Sequence, residues 1–116
     1  MNESILKSIK KLLGLADEDK SFDPDVILHI NTALMIITQE WWNQKPFMIT
    51  DETATWSDFI GENNIDYEGV KSLVYLRVRL LFDPPTNSFV LQSMNEQIKE
   101  LEWRMHVFKD NERLNA

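Results

Sequence analysis

The chain has no cysteine. That single absence excludes disulfide staples, thiolate metal sites and cysteine nucleophiles. Glycine and proline are scarce, three and four in 116 residues, so there is no glycine-rich phosphate loop and few points where a helix must stop. No run approaches the roughly 20 apolar residues that a membrane span needs. Basic charge is in deficit: 12 Lys and Arg against 19 Asp and Glu leave a net charge of −7. A protein whose main task is holding nucleic acid shows a basic face instead. The two histidines, His29 and His106, sit in no motif, and no pair of carboxylates is spaced for acid–base work. The sequence therefore predicts no enzyme, no cofactor and no metal. The opening MNESILKSIKKLLG mixes lysines with apolar residues at helical spacing, which is not the pattern of a signal peptide.

What is present is helix. We expect one domain over residues 1–116, an all-α compact bundle of about four to five helices, two of them long and joined at an Asp-Pro-Pro break. The organising stretch is residues 66–82, DYEGVKSLVYLRVRLLF, apolar nearly all the way round. Such a helix must be wrapped by other helices or by neighbouring chains. Asp66 is its expected cap, and Asp83-Pro84-Pro85 ends it because proline lacks an N–H and disfavours helix in the residue before it. Arg77 falls inside the apolar sector as a buried charge, which calls for a carboxylate; Asp58, Glu40 and Asp83 are the candidates, with exposure at a subunit contact as the alternative.

Ahead of it, residues 4–13 form a short helix with Ile5, Ile9, Leu12 and Leu13 as its stripe, Lys7, Lys10 and Lys11 facing away, and Gly14 closing it. The acidic loop DEDKSFDPD, residues 17–25, superficially matches a calcium loop, but Phe22 stands where the turn needs glycine and Leu28 where a bidentate glutamate belongs. It reads better as a helix start, with Asp23 as N-cap and Pro24 at the first position. The helix that follows, to residue 42, carries a core stripe of Val26, Ile30, Ala33, Leu34, Ile37 and Trp41. A second stripe, Leu28, Met35 and Trp42, lies nearly opposite. Residues 43–54 are irregular, an extended loop or a brief strand. Thr55 or Thr53 then caps a short helix through Trp56, Phe59 and Ile60 that ends at Gly61. Six carboxylates and no lysine or arginine lie between Asp51 and Glu68, a solvated acidic face, or one that meets a basic partner or repels DNA.

Asn87 or Ser88 caps the last helix, which runs to about residue 108. Its core stripe is Leu91, Met94, Ile98, Leu101, Met105 and Phe108. Phe89, Trp103 and Val107 fall on the far side, where Trp103 is a candidate interface anchor. Residues 109–116 read as a polar, frayed tail. The surplus apolar residues, Leu28, Met35, Trp42, Phe89, Trp103 and Val107, are the candidate interface.

The stretch FDPPTNSFVLQSMNEQIKELEWRM, residues 82–105, with the VKSLVYLRVRLL helix before it, resembles the head–tail connector, or adaptor, proteins of tailed bacteriophages. ATWSDFIG, residues 54–61, and the N-terminal ILKSIKKLLGL with FDPDVILHINTALMIITQ fit the same family, so the likeness covers nearly the whole chain. One departure is EWWNQKPF, residues 40–47, where relatives turn through a glycine-rich segment. The resemblance implies a small all-helical protein, made in the host cytoplasm and carried in the virion. It would form a ring with copies of itself under the portal protein and contact the next neck or tail component. Genomic DNA would pass through without sequence-specific binding, and no membrane is involved. A small helical DNA-binding or regulatory protein is the alternative.

Overall fold

The structure is a computed structural model that describes residues 2–39, 47–61 and 67–114, with side chains as far as residue 107 in the last segment. Among the described residues five α-helices follow one another: α1 (Ile5–Leu13), α2 (Asp23–Ile37), α3 (Trp56–Ile60), α4 (Tyr67–Phe82) and α5 (Ser88–Leu114). The all-α expectation holds. α4 is the hub, packed against α1, α2 and α5. Its Val70, Leu73, Val74 and Val78 are completely buried, together with Val26, Ile30, Leu34 and Ile37 of α2. The predicted cap Asp66 and the stripe members Trp41 and Trp42 lie outside the described residues.

Local signals set most helix ends. Ser4 Oγ accepts from Lys7 N at 3.2 Å to start α1. Gly14 closes it at φ 81°, with Gly14 N–H donating to Lys11 O and Leu15 N–H to Lys10 O. This is a Schellman motif, and its left-handed residue strains any side chain but glycine's absence of one. Thr55, not Thr53, caps α3: its Oγ1 accepts from Asp58 N, and the Asp58 carboxylate accepts from Thr55 N at 2.9 Å. Thr53 instead donates to Asp51, which those bonds hold below the usual carboxylate range. Asn87 caps α5, accepting from Phe89 N at 2.8 Å.

The described part of the connection between α2 and α3, residues 47–55, is bound to the bundle without a strand ladder. Asn31 of α2 accepts from Ile49 N at 2.8 Å and donates to Ile49 O at 2.9 Å, so one side-chain amide replaces a strand partner and Ile49 is buried. The N-terminus pairs with the same connection: Ile5 N donates to Ala54 O and Trp56 N to Glu3 O. Trp56 is fully buried, and its indole N–H donates to Ser8 Oγ at 2.8 Å.

Four expectations are corrected. Lys10 does not face solvent. It is 1% exposed, and its ammonium donates to Asp17 O at 3.1 Å and Asp19 O at 2.8 Å and pairs with Asp23 at 2.9 Å. The acidic loop is thus organised round a cation, but the cation is a lysine of α1. For the same reason Asp23 is not the N-cap of α2. Phe22 holds that position with no side-chain cap bond, and the Asp23 carboxylate turns to Lys10, since an unpaired buried ammonium costs more than a lost cap of about 1 kcal/mol. On α1, Leu6 is buried and Leu12 is 44% exposed, because the helix rolls to place Lys10 inside. The last helix continues past residue 108 to Leu114, taking in most of the expected frayed tail.

Candidate assembly surfaces

α5 has 27 residues, about 40 Å of helix at 1.5 Å per residue, and it packs chiefly on α4. Met94 and Ile98 are buried against the bundle, and Leu101 and Met105 are half-buried. Arg77 of α4 fastens this contact through an ion pair and hydrogen bond to Glu102 of α5. The Arg77 side chain is 25% exposed and the Glu102 side chain 27%, so the pair is partly buried, and among the described residues the Arg77 Nε is buried without a hydrogen-bond partner. The three carboxylates expected for Arg77 are not its partner: Asp58 is held by the Thr55 cap, Asp83 is exposed beyond the helix end, and Glu40 lies outside the described residues.

Among the described residues, both apolar surfaces expected from the sequence are left uncovered. On α2, Leu28 is 61% exposed and Met35 43%; Trp42, the third member of that stripe, lies outside the described residues. On α5, Phe89 is 82% exposed and Trp103 65%, while Val107 is half-buried. The sequence reading missed a third group, at the elbow between α4 and α5. Leu81, Val90 and Leu91 are all exposed, and every residue from 86 to 93 is in solvent. Leu91 therefore does not belong to the core stripe. The signal was in the sequence: Phe89-Val90-Leu91 spreads three large apolar side chains over more than half of a helical turn, wider than one packed face.

The elbow is held firmly despite its exposure. Phe22, at the start of α2, meets Phe82 edge-on with ring centres 5.6 Å apart, and His29 lies 6.5 Å from the same ring. His29 thus takes a packing role. These contacts set Phe22 and His29 beside the end of α4.

Several charges outside these surfaces serve the fold. Lys7 reaches Asp17 and Glu52, and Lys20 reaches Glu52 at 3.5 Å, so part of the acidic stretch is matched within the chain. Glu3 accepts from Lys71 and from the Tyr67 hydroxyl, both at 2.8 Å. The Lys71 bond, with that of Tyr67, lowers the Glu3 carboxyl, while burial and the Glu3 charge push Tyr67 up to about 12. An open cleft of about 520 Å³ is lined by the apolar Leu6, Pro24 and Ile27 and by the polar Lys20, Asp23, Thr50, Asp51 and Glu52. Among the described residues no group of three His, Cys, Asp or Glu is placed to hold a metal, and no helix is long and apolar enough to cross a membrane.

Residues 5–112 match a family model described as phage connector protein. No curated protein and no solved structure matches the chain.

Proposed function

The chain belongs to the phage connector family, the head–tail connectors of bacteriophage virions, and on that premise we propose that copies of it close into a ring beneath the portal protein at the capsid vertex. The observation that carries this reading is the uncovered apolar surface on two separate helices of one protomer: Leu28 and Met35 on α2, Phe89 and Trp103 on α5. A head-to-tail ring needs two different patches that fit each other, so that each copy presents one to each neighbour. In the proposed ring, Leu28 and Met35 of α2 seat against the α5 stripe of Phe89, Trp103 and Val107.

The ring extends the DNA channel and offers its far side to the next neck or tail component. The net charge of −7 suits a wall that DNA passes without adhering, since lysine-rich surfaces gain affinity by displacing counterions from phosphate. The work is assembly rather than catalysis, and host-cytoplasmic synthesis precedes incorporation into the virion. Among the described residues no basic recognition face supports the DNA-binding alternative. On α5, Arg104 is tied to Glu100 at 2.9 Å, and Lys99 is outnumbered by Glu96, Glu100 and Glu102, whereas a reading helix presents a net-basic face of Arg, Lys, Asn or Gln.

Native mass spectrometry and negative-stain imaging of the protein with its portal test the proposal. The expected result is a ring seated on the portal. A protein that forms no ring with portal present and never enters particles refutes it.

A further inference from the structure

We propose that in the free protein α5 of one copy packs antiparallel on α5 of a second copy, forming a two-fold dimer. The seam is Phe89, Gln92, Glu96, Lys99, Trp103 and His106, alternating steps of three and four residues along one face. All six are exposed, and at 100° per residue they lie nearly opposite the packed stripe of Met94 and Ile98. The face points away from the protein's own bundle, so a second copy meets no obstruction from α4.

Its chemistry is self-complementary in one direction only. Large aromatics stand toward the two ends, and an opposite pair of charges, Glu96 and Lys99, stands at the centre. Among the described residues neither charge has an ion-pair partner within the chain. Antiparallel packing about a two-fold axis midway between them sets Glu96 against Lys99 of the second copy, and Lys99 against its Glu96. The same register sets Trp103 across from Gln92 and Phe89 across from His106. Parallel packing in register would instead oppose Glu96 to Glu96 and Lys99 to Lys99, which is unfavourable.

The area suits a dimer that opens. Residues 89–106 give about 26 Å of contact. Four aromatic side chains at up to about 150–250 Å² each, with the stems of the charged residues, bury on the order of 1,000 Å², the low end of specific interfaces. Phe89 and Trp103 also belong to the proposed ring contact, so a copy held in this dimer is kept out of the ring until it dissociates. That consequence rests on the connector reading; the dimer does not.

Sedimentation equilibrium of the full chain without partners tests it. The wild type is expected to dimerise. Glu96→Lys and Lys99→Glu each set like charges opposite one another in both symmetric pairs, weakening dimerisation about tenfold or more. Mixing the two variants restores it, because Lys then faces Glu at both positions, and the double change E96K/K99E on one chain restores it as well. Unchanged thermal melts show that these exposed positions leave the fold intact. A wild type that stays monomeric at its highest soluble concentration overturns the proposal. So do single variants that dimerise like the wild type, or a mixture that does not. Ring formation on portal is scored separately: dimers that pass the charge-swap test in a protein that never enters particles sink the connector proposal and leave the dimer standing.

Discussion

Replacing Lys10 by methionine tests whether the acidic loop is held by a buried cation. Methionine keeps most of the lysine stem's volume, so packing changes little and the loss is electrostatic. The ammonium has three oxygens within 3.1 Å: the carbonyls of Asp17 and Asp19 and the Asp23 carboxylate. Breaking a buried ion pair by removing one partner costs about 3–5 kcal/mol. The Asp23 side chain is 17% exposed and the loop carbonyls can rehydrate, which lowers the expected cost to about 2–4 kcal/mol. Against a total stability of about 5–15 kcal/mol that is a large fraction, equivalent to a fall in melting temperature of roughly 10 °C or more. Urea unfolding followed by tryptophan fluorescence reads it as a lower midpoint at unchanged slope. Asp23→Asn closes a double-mutant cycle, with a coupling of about 1–3 kcal/mol expected between the two sites. A Lys10→Met midpoint within about 0.5 kcal/mol of the wild type would mean that Lys10 is solvated and that the loop is held by something else.

Arg77→Ala should cost about 1–2 kcal/mol, less than a fully buried pair, because Arg77 and Glu102 are both partly exposed; hydrogen exchange should quicken in α5 ahead of the bundle, and equal protection throughout would show that the pair does not fasten the helix. Trp103→Ala, at a site 65% exposed, should leave the unfolding midpoint within about 0.5 kcal/mol of the wild type yet abolish entry into particles; a lost fold would place the indole in the core. Tyr67 prefers its protonated form in the folded chain, so its contribution to stability is complete below its unfolded value near 10 and is lost as pH rises toward its folded value of about 12. Tyrosinate absorbance, compared between wild type and Tyr67→Phe, should therefore show Tyr67 ionising late, with the alkaline loss of stability reduced in Tyr67→Phe; a Tyr67 that ionises near 10 would refute the Tyr67–Glu3 contact.

The helices were legible because each is written in residues that are neighbours in the chain. Val26, Ile30, Ala33, Leu34 and Ile37 recur at helical spacing, and all five are buried. Ser4, Thr55 and Asn87 cap helices whose first turns begin just after them. The uncovered apolar residues were legible too, since Leu28, Met35, Phe89 and Trp103 fall off the core stripes of their own helices. Leu91 was misplaced because spacing alone says that it lies above Met94, not that the elbow carries it beyond the end of α4.

From sequence alone came the class of the fold, the ends of α1, α3 and α4, and the excess of apolar faces, because capping and periodicity act over a few residues. Which charges are buried, and against what, was decided only when distant segments met. Lys10 looks like any surface lysine until the loop carrying Asp17, Asp19 and Asp23 folds back over α1, and Arg77 finds Glu102 only through the register of α5 on α4. An ion pair depends on a distance of a few ångströms between chain positions far apart in sequence, and helix packing sets that distance.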